Sequence, residues 1–379
     1  MKFLIVTHVT HTVEQKQYYG YAPYVLEMNI WLKQVDELIV VAPLKNTKPT
    51  AIDSFYEHKN IDFRKVPDFN LTDFKNGLLS VFKFPKIISE IFKAMQQADH
   101  IHLRCPGNIG LLACLVQIFF PSKTKTAKYA GNWDPESKQP WTYRLQKWIL
   151  SNTFLTRNIK VLVYGEWPNQ SQNIQSFFTA TYTEKDKESS SKTIVYDAKI
   201  KLLFVGSLVS GKNPLYVIQL LEQLRLTNLN AILNIYGEGI LKESLEKYIA
   251  TNNLSQYIIL HGNQNHQVLK KAYQESHFVV LPSKSEGWPK AIAEGMFWAC
   301  VPIVTKVSCV PFMLDQGNRG VLLQMDLNKD AFVVNTLINS SKDFESKSKE
   351  AINWSRCYTI ERFENEIKKM MLNESSSKN

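Results

Sequence analysis

Short apolar runs alternate with segments of helical periodicity along the whole chain. Phe3–Val6, Leu38–Val41, His100–Leu103 and Lys160–Val163 read as strands in the first half. Lys201–Val205, Ala231–Ile235, Tyr257–Leu260, Phe278–Leu281 and Pro302–Val304 do so in the second. Most are apolar on both faces, the pattern of parallel strands covered by helices above and below. Between them, Leu215–Leu224 sets Ile218, Leu221 and Leu224 at helical spacing, and Leu241–Ile249 does the same with Leu245 and Tyr248. Strand–helix alternation of this kind predicts an α/β fold. Thr183–Lys192 (TEKDKESSSK) lacks large apolar residues and reads as a linker or exposed loop. The expected organisation is a first domain over 1–185, a second over 186–353, a terminal helix over Trp354–Met371 and a disordered tail over 372–379.

Composition narrows this picture only in part. A chain of 379 residues suits two or three domains at roughly 150 residues each. The net charge of +10 favours anionic partners: nucleic acid, phosphorylated substrates or an acidic membrane surface. The lysines form no block of five or more like charges. They therefore read mainly as a solvated surface, and nucleic-acid binding ranks last. Cys105, Cys114, Cys300, Cys309 and Cys357 are odd in number and lack CxxC spacing, which argues against a disulfide framework or zinc site and fits a reducing cytoplasm. Ile109–Phe120 is too short to span a bilayer, which takes about 20 residues, and reads as a buried helix. The start MKFLIVTHVTH lacks the longer apolar core of a signal peptide. Basic and aromatic residues in Phe74–Ala98 suggest a seat on an anionic membrane; the plainer reading is an amphipathic helix pair broken by Pro85.

In open parallel sheets, ligands bind where strands lead into helices at their carboxyl ends. Strand Lys201–Val205 is followed by Gly206-Ser207-Leu208-Val209-Ser210-Gly211-Lys212-Asn213-Pro214. Two glycines permit close backbone approach, and Lys212 adds a cation at a helix mouth, so the segment is either a phosphate grip or a plain turn. Asn213 stands where a P-loop requires Ser or Thr. Gly237-Glu238-Gly239 starts like a dinucleotide fingerprint, but Lys242 replaces its third glycine. His261-Gly262-Asn263 is another backbone-exposing turn, with His261 read as structural. The richest segment is Ser285-Glu286-Gly287-Trp288-Pro289-Lys290-Ala291-Ile292-Ala293-Glu294-Gly295-Met296. Pro289 suits the first turn of a helix, which puts Glu286, Gly287 and Trp288 at its mouth beside free N–H groups. Glu286 suits sugar hydroxyls better than phosphate, and Glu294, further along the helix, suits the two hydroxyls of a ribose.

This constellation resembles the retaining glycosyltransferases of family 4, over about residues 200–325. Glu286 and Glu294, the Gly206–Lys212 loop, Gly237-Glu238-Gly239 and Gly262 occur in that family's order and spacing. The resemblance implies a GT-B fold: two Rossmann-like doubly wound domains facing a central cleft. It implies that Glu286 contacts the donor sugar, Glu294 the ribose and Lys212 the diphosphate. Gly206, Ser207, Gly237, Gly262, Asn263, Gly287, Trp288, Pro289 and Lys290 complete the expected donor site. The family's last helix crosses back to the first domain, as Trp354–Met371 is placed to do. There are departures. Ser207 stands where the family often has arginine; Gly20 alone stands near its Gly-Gly loop. Asn132-Trp133-Asp134 occupies the stretch where it often has a histidine, leaving Gly20, Asn132, Trp133 and Asp134 as the acceptor-side candidates. Tyr18–Trp31 and Tyr164–Pro168 resemble bacterial surface-polysaccharide transferases more loosely.

The resemblance implies retaining transfer of a sugar from a nucleoside diphosphate sugar to a glycan or lipid-linked glycan acceptor. No cofactor and no metal are expected, since no Asp-x-Asp pair is present. The implied setting is surface-polysaccharide synthesis in the cytoplasm, or on the cytoplasmic face of the inner membrane. Two rival expectations are a nucleotide-sugar epimerase of similar fold and a non-catalytic sugar-nucleotide binding subunit.

Overall fold

The structure is a computed structural model describing residues 1–50, 52–68, 84–195 and 199–375, with side chains up to Met371. It divides into two compact units: Met1–Phe178 with Glu364–Asn379, and Thr179–Phe363.

The first unit contains β1 (Lys2–Val6), β2 (His11–Glu14), β3 (Gln17–Tyr21), α1 (Ala22–Leu32), β4 (Glu37–Lys45), β5 (Asp53–Phe55) and β6 (Ile61–Val66). It continues through α2 (Phe84–Gln97), β7 (His100–Cys105), α3 (Asn108–Val116), β8 (Thr124–Tyr129), α4 (Trp141–Ser151), β9 (Ile159–Tyr164) and β10 (Ile174–Phe177). Strands β10-β9-β8-β7-β1-β4 lie side by side and parallel, with β6 parallel on the other edge of β4. Leu4, Val6, Leu103, Ala127 and Val161 of this sheet pack into one core with Ile87 and Ile91 of α2, Leu112 of α3 and Ile149 of α4.

Two features departed from the apolar-run pattern. The β2–β3 hairpin is antiparallel and turns on Gln15 and Lys16, both at positive φ, without the Asn-Gly that usually marks such turns. Strand β8 is interior yet reads TKTAKY, because Lys125 and Lys128 are buried with their ammonium groups donating to the carbonyls of Phe120 (2.7 Å) and Phe178 (2.8 Å). Burial lowers the Lys125 pKa to about 8. Pro85 does not break a helix pair among the described residues: it lies in the first turn of α2, where a missing N–H costs nothing. Residues 74–83 of the expected membrane seat lie outside the described residues.

The second unit contains β11 (Ile200–Val205), α5 (Pro214–Leu226), β12 (Ala231–Tyr236), α6 (Lys242–Thr251), β13 (Ile258–Leu260), α7 (His266–Glu275) and β14 (Phe278–Leu281). Then follow α8 (Lys290–Phe297), β15 (Val301–Thr305), α9 (Val310–Met313), β16 (Val321–Leu323), α10 (Leu327–Ile338) and α11 (Ser341–Ser355). All pairings are parallel, in the order β13-β12-β11-β14-β15-β16. This is the doubly wound order. The chain steps outward from β11 to β13, then returns to β14 on the other side. The chain therefore leaves β11 and β14 toward opposite faces of the sheet, and the two strand-end loops lie side by side.

The polar segment Thr183–Lys192 is not a loose connection. Lys270 bridges to Asp186 and Glu188 at 3.1 Å, Arg356 donates to the Glu188 carbonyl at 2.7 Å, and the Lys192 ammonium group donates to the Tyr273 carbonyl at 2.6 Å. Its polarity is that of a strap bonded through charges. The expected single helix over Trp354–Met371 is two: α11 stops at Ser355, and α12 (Ile360–Ser375) starts after a short turn. From Glu364 onward α12 is counted with the first unit. Helix α12 also takes in residues 372–375, the start of the expected tail; residues 376–379 lie outside the described residues.

Candidate functional site

The two strand-end loops at the switch point of the second unit hold Lys212 and Glu286. The Lys212 ammonium group lies 2.5 Å from Glu286 Oε1, and the Glu286 side chain is 6% exposed. Lys212 comes just before α5, whose cap residue Asn213 is left-handed and makes no side-chain cap bond. The Lys284 N–H donates to the Gly211 carbonyl at 2.9 Å, and the Lys284 ammonium group to Ser210 Oγ at 3.1 Å, so the two loops are bonded together. Beneath the second loop, Thr305 Oγ1 donates to the Ser283 carbonyl at 2.5 Å and Cys309 Sγ to the Gly287 carbonyl at 3.0 Å. Helix α8 begins one residue after Pro289, with no side chain capping it. An uncapped helix mouth presents N–H groups to an anion.

The glycines fall into two kinds. A Cβ on Gly237 would sit 2.0 Å from the Gly206 carbonyl oxygen, and one on Gly239 2.4 Å from that of Leu208. Gly237 also has φ +144° and donates its N–H to the Gly262 carbonyl at 2.9 Å. These residues let three successive strand-end loops touch backbone to backbone. Gly206 and Gly211 differ: a Cβ on Gly206 would make ordinary contact with the Phe204 ring at 3.5 Å, and one on Gly211 meets nothing within 4 Å, so the space above Gly211 is open. Ser207, Asn263 and Ser285 are exposed on this rim. His261 is structural in its contacts, stacked on Tyr236 at 4.2 Å with Nε2 2.8 Å from Asn234 Oδ1, and burial lowers its pKa.

Two expected donor residues carry structural contacts besides. Glu294 accepts from Thr181 Oγ1 at 2.8 Å and from the Tyr273 hydroxyl at 3.0 Å. Burial, then the Glu294 charge, raises the Tyr273 pKa. Trp288 is buried against Trp354 and Tyr358, with ring centroids 6.0 and 5.5 Å away. It anchors the turn that carries Glu286. Lys290 is half-buried at the start of α8. Thr181, Tyr273 and Lys284 had no motif to mark them, since their positions follow from the packing of distant segments.

In the first unit the strand-end residues are arranged differently. Trp133 is buried, edge-on to Tyr129 at 4.8 Å, with Nε1 donating to Gln170 Oε1 at 2.9 Å. Asn132 Oδ1 accepts from the Asp134 N–H and Asp134 Oδ1 from the Glu136 N–H, each at 2.9 Å. Lys147 donates to the Trp133 and Asp134 carbonyls at 2.8 and 2.9 Å. Gly20 lies inside β3, not in a loop, and a Cβ there would stand 3.2 Å from the His11 ring. The sequence did not mark Glu27, whose Oε1 lies 3.2 Å from Arg104 and 3.7 Å from the buried Lys128. Among the described residues no group of three or more His, Cys, Asp or Glu could hold a metal ion, and no helix is long and apolar enough to cross a membrane.

Comparison with known proteins agrees with this architecture. Residues 185–354 match the family model for glycosyl transferases group 1. An uncharacterized glycosyltransferase of Methanocaldococcus jannaschii is 26% identical over 166 residues, 41% of this chain and 44% of that protein. The N-acetylgalactosamine-N,N'-diacetylbacillosaminyl-diphospho-undecaprenol 4-alpha-N-acetylgalactosaminyltransferase of Campylobacter jejuni is 27% identical over 155 residues, 40% of this chain and 41% of that one. The chain thus spans less than half the length of either relative. HepE of Anabaena, solved with UDP and glucose, has the same fold at a TM-score of 0.69 and 11% identity, covering 98% of this chain and 100% of that one. The two doubly wound units are those of the GT-B fold, and residues 185–354 are similar to the glycosyl transferases of group 1.

Proposed function

We propose that this protein moves a sugar from a nucleoside diphosphate sugar to an acceptor hydroxyl, retaining the anomeric configuration. The observation that carries this reading is the Lys212–Glu286 pair, 2.5 Å apart at the switch point of the second unit. In the reaction the bond from the anomeric carbon to the diphosphate breaks. The acceptor oxygen bonds to that carbon on the same face, and its proton passes to the departing phosphate. Lys212 and the uncapped N–H groups of α8 offset the charge that develops on the diphosphate. Glu286, released from Lys212 by the donor, accepts from the sugar hydroxyls. Each Glu294 oxygen keeps a second lone pair beside its bond to Thr181 or Tyr273, so a ribose hydroxyl can join them. The chemistry needs no metal.

The Campylobacter relative acts, by its name, on a sugar carried by diphospho-undecaprenol. A glycan on a lipid diphosphate, as in surface-polysaccharide assembly, is the acceptor class we assign here. The reaction then takes place in the cytoplasm, at the inner face of the membrane.

The test is thermal unfolding with UDP-, GDP-, ADP- and dTDP-sugars, followed by product analysis with and without glycan acceptors. A donor at 100 times its Kd should stabilise the protein by about 2.7 kcal/mol, and sugar should appear on an acceptor. Isomerised nucleotide sugar without acceptor would instead identify an epimerase. Stabilisation without turnover would leave a binding subunit, and no stabilisation by any donor would sink the reading.

A further inference from the structure

The first unit carries an aromatic and basic surface that glycosyl transfer does not use. Helices α2, α3 and α4 cover one face of its sheet and share one core. Their outward side exposes large rings. Trp141 and Trp148 on α4 are 62% and 58% exposed, Phe119 in the turn after α3 is 73%, and Phe154 after α4 is 73%. Trp141 and Trp148 are seven residues apart on α4, two helical turns, and so share a face about 10 Å long. Arg144 is exposed between them, and the Arg157 guanidinium lies 5.0 Å over the Phe154 ring.

Charge selects the occupant. From His100 to Tyr164 the only acids are Asp134 and Glu136, both in the strand-end loop after β8, whereas lysine and arginine recur throughout. A surface of indole and phenyl rings among arginines, with no acid on α4 or in the turns after α3 and α4, suits the interface of an anionic bilayer. Tryptophan rings settle at headgroup level there, and cations are drawn to the negative surface. The geometry points to α4 and the flanking turns around Phe119 and Phe154 as the face by which this protein docks on an anionic phospholipid surface. The docking is peripheral, and the argument for it uses no donor-site residue, so it stands or falls apart from the proposed reaction.

The experiment is co-sedimentation of the full chain with vesicles of phosphatidylcholine alone and of phosphatidylcholine with phosphatidylglycerol. The protein should pellet with the second and not the first, and release as salt rises. R144Q and R157Q should each weaken binding about fivefold, the effect of one surface cation. W141A/W148A should weaken it roughly tenfold, and W141F/W148F should restore part of that loss. Because these side chains are exposed, the melting temperature should not change. Equal pelleting with both vesicle types, or binding indifferent to all these substitutions, overturns the proposal. So does a wild type that self-associates in sedimentation velocity, loses that association in W141A/W148A and binds no vesicles; the face would then join two copies of the chain. K212A must bind vesicles like the wild type, which separates this outcome from that of the donor site.

Discussion

The two units build the same strand-end geometry and fill it in opposite ways. In the second, glycines let the loops after β11, β12 and β13 meet backbone to backbone, and the half-buried Lys212 and the buried Glu286 stay paired beside them. In the first, Asn132, Trp133 and Asp134 are spent on their own turn and on Gln170 and Lys147, while the charges of Glu27, Arg104 and Lys128 meet below the surface. Loops whose backbone shape is dictated by close approach leave side chains to a ligand. Loops held by their own side chains must find ligand contacts elsewhere. The transfer proposed above would use the first design for its sugar donor and the second for its acceptor.

The largest effect that could break this contrast is on transfer. K212A should lower kcat/KM by roughly 10²–10³, the usual loss when one group opposing developing charge is removed. D134A should leave donor-induced stabilisation intact; if it abolishes donor binding, the division of labour between the units is wrong. Next comes folding. Gly237→Ala puts a Cβ 2.0 Å from a carbonyl oxygen at φ +144° and should cost about 3 kcal/mol or more. Gly20→Ala meets only side-chain atoms at 3.2–3.3 Å and should cost about 1 kcal/mol; urea midpoints compare the two.

Acid should affect both units alike. Burial lowers the His11 pKa in the first unit, and that of His277 in the second, to about 4. Between about pH 6.5 and 4 the unfolded chain therefore binds protons that the folded chain excludes. Stability should fall as pH drops through that window, by about 3 kcal/mol for the fully buried His11. In H11Q the slope of stability against pH should flatten; an unchanged slope would show that His11 protonates freely in the folded state. The smallest effect concerns Glu294. T181V removes one of its two donors and should cost about 1 kcal/mol of stability, with a few-fold weaker donor binding if that carboxylate is oriented for a ribose.

Legibility in the sequence followed the same divide. The strands leading into the loops of Lys212 and Glu286 are apolar on both faces, so Phe278–Leu281 could be read directly, as could the glycine, lysine and glutamate positions after them. Strand β8 could not be read so. Two of its residues are lysines whose stems lie in the core and whose ammonium groups reach carbonyls far along the chain, which no local pattern reports. The β2–β3 hairpin was hidden because Gln15 and Lys16 adopt a turn that usually advertises itself with glycine. The strap Thr183–Lys192 looked like a linker because the same charges that suit water also suit Lys270 and Arg356.

By itself, then, the sequence determined the alternation of strands and helices, the places where backbone must approach backbone, and the charged residues beside them. These rest on local properties: periodicity, the missing Cβ of glycine, the fixed φ of proline. Only the tertiary structure decided that Lys212 and Glu286, 74 positions apart, meet at 2.5 Å. Only it decided that Glu294 is held by Thr181 and Tyr273, that Trp133 is core, and that Trp141 and Trp148 are surface. The physical reason is that a side chain's partners and exposure are set by which elements pack against it, and strand order brings together segments that share no local signal.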